Sequence, residues 1–297
     1  MSEGLLFDAW MKNVQADMES ALAEFLPPAA ETSARLCDAM RYAVLDGGKR
    51  VRPLLVFAAG ALFDARSESL ARAAAAVEMI HAYSLVHDDM PCMDDDELRR
   101  GKPTVHVKYG EAAALLAGDA LQAQAFLVLA GNAGDAERTV AMLKLLAEAS
   151  GAAGMCGGQA IDLESVGLPL SLEQLEQMHR LKTGALLRAS VLLGAMSGKA
   201  LSSREREALD GYAKAIGLAF QVVDDILDAT ADSATLGKTA GKDAADNKPT
   251  YVSILGLEQS RTLAEKLRTD AHVAVAPFGE KARRLREIAD LIVQRKA

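Results

Sequence analysis

The sequence predicts an all-α fold built as one domain over residues 1–297. Ala and Leu dominate the composition, only 8 of the 297 residues are Pro and only 4% are aromatic, and this mixture favours helix over sheet. Apolar residues recur with helical spacing almost throughout, and no segment shows the period-two alternation of a half-buried strand. Half of the residues are hydrophobic, which suffices for a large core.

Proline and glycine mark the ends of the first predicted helices. Pro27 and Pro28 stop the first helix. Gly47 and Gly48 follow the second, and Pro53 suits the first turn of the third. The predicted helices cover residues 8–25, 34–45, 52–63, 67–90, 110–130, 136–152, 171–197, 203–229, 250–270 and 279–295. Loops are predicted over residues 98–104, 131–135, 164–171 and 231–249.

Charge and cysteine content bear on partners and location. A formal net charge of −8 argues against a nucleic-acid-binding protein, which would carry a basic surface. Three widely spaced cysteines, Cys37, Cys92 and Cys156, make no disulfide framework and favour a reducing compartment. The N-terminus lacks a secretory signal pattern, and apolar stretches such as RPLLVFAAGALF are too short to span a bilayer. We therefore expect a soluble cytoplasmic protein without membrane insertion.

An acidic cluster ends a predicted helix that otherwise has the composition of core. In HAYSLVHDDMPCMDDDELRRGKPT, an apolar helical run is followed by the carboxylates of Asp88, Asp89, Asp94, Asp95, Asp96 and Glu97. His81 precedes Asp88 by about two helical turns, or roughly 10 Å, on the same face. A solvated helix end and a packed core histidine are the alternative interpretations of these residues.

A second acidic cluster lies well over a hundred residues later. DDILD places Asp224, Asp225 and Asp228 in an apolar segment, and a helix would put Asp224 and Asp228 on one face with Cβ atoms about 5–6 Å apart. Buried carboxylates need a compensating cation, and no Lys or Arg lies within a turn of Asp228. If only one such motif were present, a solvated helix end would be the alternative interpretation. The presence of two acidic motifs favours a Mg²⁺ site between facing helices of a bundle.

Two basic clusters supply the opposite charge. GGKRVRP, residues 47–53, places Lys49, Arg50 and Arg52 at a helix start, where backbone N–H groups and adjacent cations bind anions; a solvated basic loop is the alternative. Arg99 and Arg100 offer planar forks that match phosphate oxygens, and they also suit ion pairs with the acidic run. The combination predicts a site in which carboxylates hold Mg²⁺ and Mg²⁺ holds phosphate.

Together these motifs resemble the trans-isoprenyl diphosphate synthase family, most closely its bacterial farnesyl diphosphate synthases. DDMPCMD is similar to the family's first aspartate-rich motif, and DDILD is similar to the second. The other matches are GGKRVRP, RRGKPT (99–104), GGQAIDL (157–163), HRLKTGAL (179–186) and GLAFQVVDD (217–225).

The resemblance implies a role for each matched residue. The positions that hold isopentenyl diphosphate correspond to Lys49, Arg52, His81 and Arg100. The positions that hold the allylic diphosphate correspond to Arg99, Lys182, Lys238 and Lys248. The Mg²⁺ ligands correspond to Asp88, Asp89, Asp94, Asp224 and Asp228. The catalytic groups correspond to Lys182, Thr183 and Gln221, the last two facing the developing allylic cation.

The family also implies an architecture and a reaction. It implies a helical bundle of the isoprenoid synthase type around a deep apolar cavity, usually in a homodimer, with three Mg²⁺ ions per active site and Mn²⁺ as a substitute. The allylic diphosphate ionises, the double bond of isopentenyl diphosphate attacks the carbocation, and a proton passes to the released diphosphate. Starting from dimethylallyl and then geranyl diphosphate, the product is farnesyl diphosphate. The polar loop over residues 231–249 is interpreted as a lid over bound diphosphate.

Product length is expected to depend on the residue five positions before Asp88. That residue is Tyr83, and in the family a bulky side chain there favours fifteen carbons, although a helical wheel puts Ser84 nearer the Asp88 face. The open alternatives are a geranylgeranyl diphosphate synthase, a non-catalytic partner subunit, a terpene cyclase and a Mg²⁺-dependent pyrophosphatase. Both aspartate motifs are present, which argues against a subunit, and a pyrophosphatase would need no apolar cavity.

Overall fold

The structure, a computed structural model, describes residues 3–28, 33–132, 135–230 and 249–295. Within these ranges the regular structure is helical apart from one short hairpin, so the predicted all-α class is confirmed. The helices are α1 (Glu3–Phe25), α2 (Ala34–Val44), α3 (Val51–Ala61), α4 (Ser67–Asp88), α5 (Val105–Tyr109), α6 (Glu111–Ala130), α7 (Ala136–Ser150), α8 (Met155–Glu164), α9 (Leu172–His179), α10 (Ala185–Gly198), α11 (Ser203–Thr230), α12 (Tyr251–Leu255), α13 (Leu257–Val275) and α14 (Arg283–Gln294). A π-helical turn (Arg180–Gly184) joins α9 to α10, a 3₁₀ segment (Ala276–Ala282) joins α13 to α14, and strands β1 (Leu98–Arg99) and β2 (Lys102–Pro103) pair between α4 and α5.

Helices α4 and α10 form the centre of the core. The first packs against α1, α2, α3, α6 and α10, and the second packs against α3, α4, α7 and α11. Both carry buried residues on most faces, as expected of helices enclosed by others; Ile80 of α4 and Val191 of α10 are fully buried. Because α4 is enclosed, the acidic run at its end begins inside the bundle, and Asp89 is almost fully buried.

Three of the predicted helices are interrupted. The segment predicted over 171–197 is divided by the π-helical turn, which inserts one extra residue into the helix. The segment predicted over 250–270 breaks at Gly256, whose φ of +81° lies outside the helical range. The segment predicted over 279–295 begins as 3₁₀ structure. The other predicted helices agree with the structure to within a few residues, except that α1 begins earlier.

Two helices and the hairpin were not predicted. Helix α5 is a single short turn, and α8 carries the GGQAIDL motif. The hairpin lies inside the predicted loop over 98–104, and its two central residues, Arg100 and Gly101, have φ of +54° and +73°. Positive φ at both central positions is the requirement of a type I′ turn. Elements this short have no detectable hydrophobic period.

Helix α6 is, among the described residues, the one helix long and apolar enough to cross a membrane. It is longer than RPLLVFAAGALF, the stretch that the sequence analysis judged too short for this purpose. Its inner face packs along α4, where Ala117, Leu121 and Ala125 are fully buried. The helix therefore packs its inner face against the core, and 39% of its apolar stretch is buried.

A buried ion-pair cluster fixes the start of α3. Arg50 precedes this helix with φ of +52° and is only 4% exposed. Its guanidinium donates to Glu78 Oε1 on α4 at 2.7 Å, to Glu19 Oε1 on α1 at 2.5 Å and to the Val44 carbonyl oxygen at 2.6 Å. This member of GGKRVRP thus ties three helices together.

Replacing Arg50 with methionine is expected to lower the free energy of unfolding by about 3–5 kcal/mol, because Glu78 would remain buried without its partner. Urea denaturation followed by circular dichroism at one protein concentration measures this change. Arg66→Met is the matched control, since the Arg66 side chain is 70% exposed and lies 3.5 Å from Glu68; it should cost less than about 1 kcal/mol. Equal effects of the two substitutions would contradict the structural role of Arg50.

Candidate active site

Residues of four sequence motifs, GGKRVRP, DDMPCMD, GGQAIDL and HRLKTGAL, line a cavity of about 430 Å³ between α4, α8 and the π-helical turn, here called the catalytic cavity. The predicted site residues that line it are Arg52, His81, Tyr83, Ser84, Asp88, Lys182 and Thr183. Met155 and Leu163 of α8 add apolar surface. One cavity thus combines basic, acidic and apolar walls.

Lys182 is held by a carboxylate from α8. Its Nζ donates to Asp162 Oδ2 at 2.5 Å, and both side chains are less than one-third exposed. At Gly158, α8 approaches the π-helical turn so closely that a Cβ would lie 2.1 Å from the backbone nitrogen of Lys182. The GGQAIDL motif therefore positions HRLKTGAL by close backbone contact and by an ion pair.

His81 lies among guanidinium groups. Burial holds the pKa of His81 well below its usual range, and the surrounding positive charges add to the effect, so the imidazole is neutral. These charges belong to Arg52, Arg100, Arg99 and Arg50. Such a concentration of positive charge favours a multiply charged anion. The two basic motifs of the sequence consequently form one anion site.

Contact between these two motifs runs through Gly48 and Arg100. Gly48 has φ of +92°, and a Cβ there would lie 2.9 Å from Arg100 Nη1, so glycine lets the guanidinium rest against the loop. The neighbouring Lys49 has its pKa lowered by partial burial and by the positive charge of Arg295, while Asp224 acts in the opposite direction. Lys49 therefore brings the first basic motif within the electrostatic influence of Asp224 in the second acidic motif.

The first acidic motif closes on itself at the end of α4. The pKa of Asp88 is raised to about 6, mainly by burial and also by the negative charges of Asp94 and Asp89, while Lys182 and Arg99 oppose the shift. The Asp94 N–H donates to the Asp88 carbonyl oxygen at 2.8 Å, which brings the two ends of DDxxxxD together. Asp89 accepts a two-pronged ion pair from Arg99, with Nε 2.8 Å from Oδ2. In this structure Asp89 and Arg99 form an ion pair with each other. The predicted roles of Asp89 as a metal ligand and of Arg99 in binding diphosphate therefore stay predictions.

In the second acidic motif the three aspartates have different surroundings. Asp225 accepts from Gln221 Nε2 at 3.0 Å and from the Tyr251 N–H at 2.8 Å, so it fastens α11 to α12. Asp228 is 8% exposed, and its Oδ1 has no hydrogen-bond partner within the described residues. Gln221 Oε1 accepts from Thr183 Oγ1 at 3.5 Å, which joins α11 to the catalytic cavity.

Arg295 reaches the same motif from beyond the end of α14. Its Nη2 lies 3.2 Å from Asp224 Oδ1 and 2.9 Å from the Phe220 carbonyl oxygen. The guanidinium carbon is 4.0 Å from the centre of the Phe220 ring, within the range of a cation–π contact. The sequence analysis found no cation near DDILD because it considered only neighbours within a helical turn.

The aspartates fit Mg²⁺ in ligand type. The unpartnered Oδ1 of Asp228 and the raised pKa of Asp88 both mark carboxylates that a cation would stabilise. Across the described residues, no three side chains of ligand type converge on one point. Mg²⁺ commonly takes one or two protein carboxylates and completes its shell with water and phosphate oxygens. Carboxylates divided between α4 and α11 therefore suit a metal that also contacts a bound diphosphate.

Tyr83 and Ser84 both line the catalytic cavity, so the resemblance and the helical wheel each identified a wall residue. Tyr83 is 4% exposed, and its Oη lies 3.4 Å from Cys156 Sγ on α8. The Ser84 hydroxyl donates to the His81 carbonyl oxygen at 2.9 Å. Tyr83 is thus a bulky wall residue in contact with a cysteine that was not predicted to lie in the site.

Two further residues at the catalytic cavity were not predicted from the sequence. Asp162 and Gln159 belong to GGQAIDL, which was matched as a motif without roles for its members. Gln159 lines the catalytic cavity, and neither of its buried amide atoms has a hydrogen-bond partner within the described residues. A local sequence signal for Asp162 was available, since it is the one acidic residue of GGQAIDL.

Some predicted residues cannot be compared with the structure. Lys238 and Lys248 lie outside the described residues, as does the predicted lid except for Pro249. The assignments of these lysines to the allylic diphosphate stay predictions.

Comparison with known proteins gives a consistent result. The family model described as polyprenyl synthetase matches residues 33–280. The farnesyl diphosphate synthase of Escherichia coli strain K12 is 50% identical over 282 residues, covering 93% of this chain and 94% of that protein. The apo structure of an FPP/GFPP synthase from Zymomonas mobilis has a TM-score of 0.88 at 43% identity, covering 97% of this chain and 99% of that one. A geranyltransferase from Helicobacter pylori, complexed with magnesium and isoprenyl diphosphate, has a TM-score of 0.83 at 33% identity, covering 98% and 97% respectively.

Proposed function

Because this chain belongs to the polyprenyl synthetase family, we propose that it is a Mg²⁺-dependent prenyltransferase that makes farnesyl diphosphate. It joins isopentenyl diphosphate to dimethylallyl diphosphate and then to the resulting geranyl diphosphate. The observation that carries this proposal is the catalytic cavity, where Asp88 and Lys182 stand beside an apolar space that Tyr83 limits. Charge for a diphosphate and room for a hydrocarbon chain occur in one cavity.

The two diphosphates are assigned to separate cationic groups. Isopentenyl diphosphate is assigned to Lys49, Arg52, His81 and Arg100, and the allylic diphosphate is assigned to Arg99, Lys182, Lys238 and Lys248. The neutral imidazole of His81 donates one N–H to a phosphate oxygen, while the guanidinium groups around it supply the charge. Asp162 holds the ammonium group of Lys182 at the cavity wall.

Thr183 and Gln221 are assigned to the developing allylic cation. Their side-chain oxygens lie 3.5 Å apart, and oxygen dipoles aimed at a cation stabilise it. As the allylic C–O bond breaks, the isopentenyl double bond forms the new C–C bond, and loss of a proton to the released diphosphate restores a double bond. Apolar walls such as Met155 and Leu163 exclude water, which would capture the cation.

The Mg²⁺ ligands are assigned to Asp88, Asp94, Asp224 and Asp228, with Asp89 joining them where Arg99 releases it. When bound, Mg²⁺ neutralises charge on the leaving diphosphate. The Helicobacter pylori relative was solved with magnesium, which supports the metal; three ions per site, and Mn²⁺ as a substitute, belong to the proposal.

A product assay tests the proposed function. The purified protein is incubated with dimethylallyl and isopentenyl diphosphates, with Mg²⁺ or with EDTA, and the dephosphorylated products are sized by mass spectrometry. We expect a C15 alcohol that forms with Mg²⁺ and not with EDTA. A C20 alcohol would support a geranylgeranyl diphosphate synthase instead. Absence of any prenyl product from folded protein would contradict the proposal and favour a partner subunit or a pyrophosphatase.

Tyr83→Ala is expected to shift the product from C15 to C20 or longer, because it removes the bulky wall beside Cys156. The same mass-spectrometric assay measures the change, with circular dichroism to show that the variant is folded. Ser84→Ala is the matched control, since this neighbour lines the same cavity but loses a single oxygen. A C15 product from Tyr83→Ala would remove the tyrosine from the determination of chain length.

Assembly and location follow the same proposal. Leu116, Leu127 and Val140 are between 55% and 66% exposed on α6 and α7, and an apolar surface of this kind supports a homodimer. The three cysteines form no disulfide, which suits the reducing cytoplasm. The single domain over residues 1–297 is retained as a prediction.

A further inference from the structure

A second cavity, of about 770 Å³, lies on the opposite side of the π-helical turn from the catalytic cavity. It opens to solvent and is lined by α7, the π-helical turn, the start of α10, α11 and α13. The turn forms a shared wall: Lys182 and Thr183 line the catalytic cavity, whereas Leu181 and Gly184 line the second cavity. None of the site residues predicted from the sequence lines the second cavity.

Small side chains create the space in this second cavity. Its apolar lining consists of Leu145, Ala149, Ala153, Leu181, Gly184, Ala185, Gly211, Ala215, Leu218 and Leu267. The alanines and glycines leave room that the leucines enclose. A concave, mostly apolar pocket of several hundred Å³ between helices is typical of a site for a small organic ligand.

The charged residues around the second cavity leave positive charge in excess. Arg180 and Lys214 line it, are exposed, and form no ion pair within the described residues. The acidic lining residues Glu148 and Asp270 each pair with a lysine four residues away on the same helix. Arg188 pairs with an aspartate at 2.7 Å. Two cations therefore remain available at the solvent side of an apolar interior.

We propose that the second cavity binds an amphipathic anion, with an apolar chain of roughly ten to twenty carbons that ends in a carboxylate or phosphate. The chain lies between the leucines, and the head group contacts Arg180 and Lys214. Fatty acyl anions and prenyl phosphates share this chemistry. Binding is measured without turnover and is therefore tested independently of the proposed reaction, whereas the coupling to catalysis described next rests on that proposed function.

The shared wall gives this site a route to the catalytic residues. A ligand against Leu181 and Gly184 presses on the same five-residue turn that carries Lys182 and Thr183. π-Helical turns hold an extra residue and occur frequently at functional sites. A change in the turn moves the ammonium group relative to Asp162, so occupancy of the second cavity alters the rate of the reaction. Such an effect is a coupling between two separate sites.

Isothermal titration calorimetry of the full-length protein tests the binding, with laurate and farnesyl monophosphate as separate probes and farnesol as the uncharged comparison. At least one anionic probe is expected to bind, and to bind tenfold or more tightly than farnesol. Laurate alone would identify an acyl ligand, and farnesyl monophosphate alone a prenyl ligand. Failure of both anions to bind, or equal binding of farnesol, overturns the proposal.

Variants place the ligand in the second cavity. Ala215→Trp fills the second cavity and is expected to weaken binding of the anionic probe at least tenfold. Lys214→Glu reverses one of the two positive charges assigned to the head group, and it replaces the tryptophan variant if that variant does not fold. Lys12→Glu is the matched control, because Lys12 is an exposed lysine on α1 away from the cavity. If Lys214→Glu left binding unchanged, the head group would not contact Lys214, and the proposal would be overturned. If Mg²⁺ with inorganic diphosphate abolished binding, the ligand would lie in the catalytic cavity, which would also overturn it.

The coupling has its own readout. A saturating anionic probe is expected to change kcat of the wild-type protein at least twofold, and to leave kcat of Ala215→Trp or Lys214→Glu unchanged. A change of equal size in the variant would show that the probe acts in the catalytic cavity, against the proposal.

Discussion

Asp88→Asn is expected to lower kcat about a thousandfold. The substitution keeps the shape of the side chain but removes the charge that we assign to Mg²⁺, and a metal that stabilises the leaving group contributes several kcal/mol. A loss of about 4 kcal/mol corresponds to roughly three powers of ten in rate. Steady-state kinetics across a Mg²⁺ titration measures the change, and the concentration of Mg²⁺ needed for half-maximal rate should rise as well.

The same variant separates a catalytic effect from a structural one. Burial raises the pKa of Asp88 from its ordinary value of 3.8 to about 6. The Asp88 carboxyl group therefore binds its proton more tightly in the folded state than in the unfolded state. Ionisation above pH 6 therefore works against folding in the absence of metal. At pH 7.5 without Mg²⁺, Asp88→Asn should leave the free energy of unfolding unchanged or raise it. Urea denaturation in EDTA measures this quantity.

Asp95→Asn is the matched control for Asp88→Asn. Asp95 belongs to the same acidic run, is exposed and has φ of +51°, a conformation that asparagine also tolerates. Its kcat should stay within about twofold of wild type, because Asp95 is assigned to neither metal nor substrate and substitutions of exposed side chains usually have small effects. If both variants lost activity equally, the general negative charge of the run, and not a specific ligand, would be responsible.

The sequence predicted the residues of this site better than it predicted the contacts among them. Apolar periodicity placed the start of DDMPCMD at the end of one helix and DDILD within another, and the structure brings the first motif to the catalytic cavity and links the second to it through Thr183 and Gln221. The ion pair between Arg295 and Asp224 spans 71 residues. No periodic pattern encodes a contact over that separation, because it depends on how α14 packs on the rest of the bundle.

Local backbone geometry was the other limit. The π-helical turn at residues 180–184 differs from an α-helix by one extra residue, which is less than the uncertainty of a hydrophobic pattern. Gly256 ends α12 because of its positive φ, yet glycine within a helical pattern is often tolerated. Both features decide which side chains face a cavity. The sequence therefore identified Lys182 and Thr183, but it did not predict that they face the catalytic cavity while Leu181 faces the second cavity.

Lys182→Met is expected to lower kcat by about a hundred- to a thousandfold, the usual effect of removing one preorganised group that stabilises developing charge. Methionine preserves much of the aliphatic stem and removes the ammonium group. Lys182→Arg keeps the positive charge and should recover part of the loss. Single-turnover measurements with geranyl and isopentenyl diphosphates separate this chemical step from product release.

Asp162→Asn tests whether the carboxylate acts through Lys182. The two side chains are 2.5 Å apart, so asparagine would leave the ammonium group less firmly held, and kcat should fall about tenfold, as for an outer partner of a catalytic group. In a Lys182→Met background the same change should have almost no further effect, since the group that it positions is absent. A full tenfold loss in that background would mean that Asp162 contacts a substrate or a metal itself.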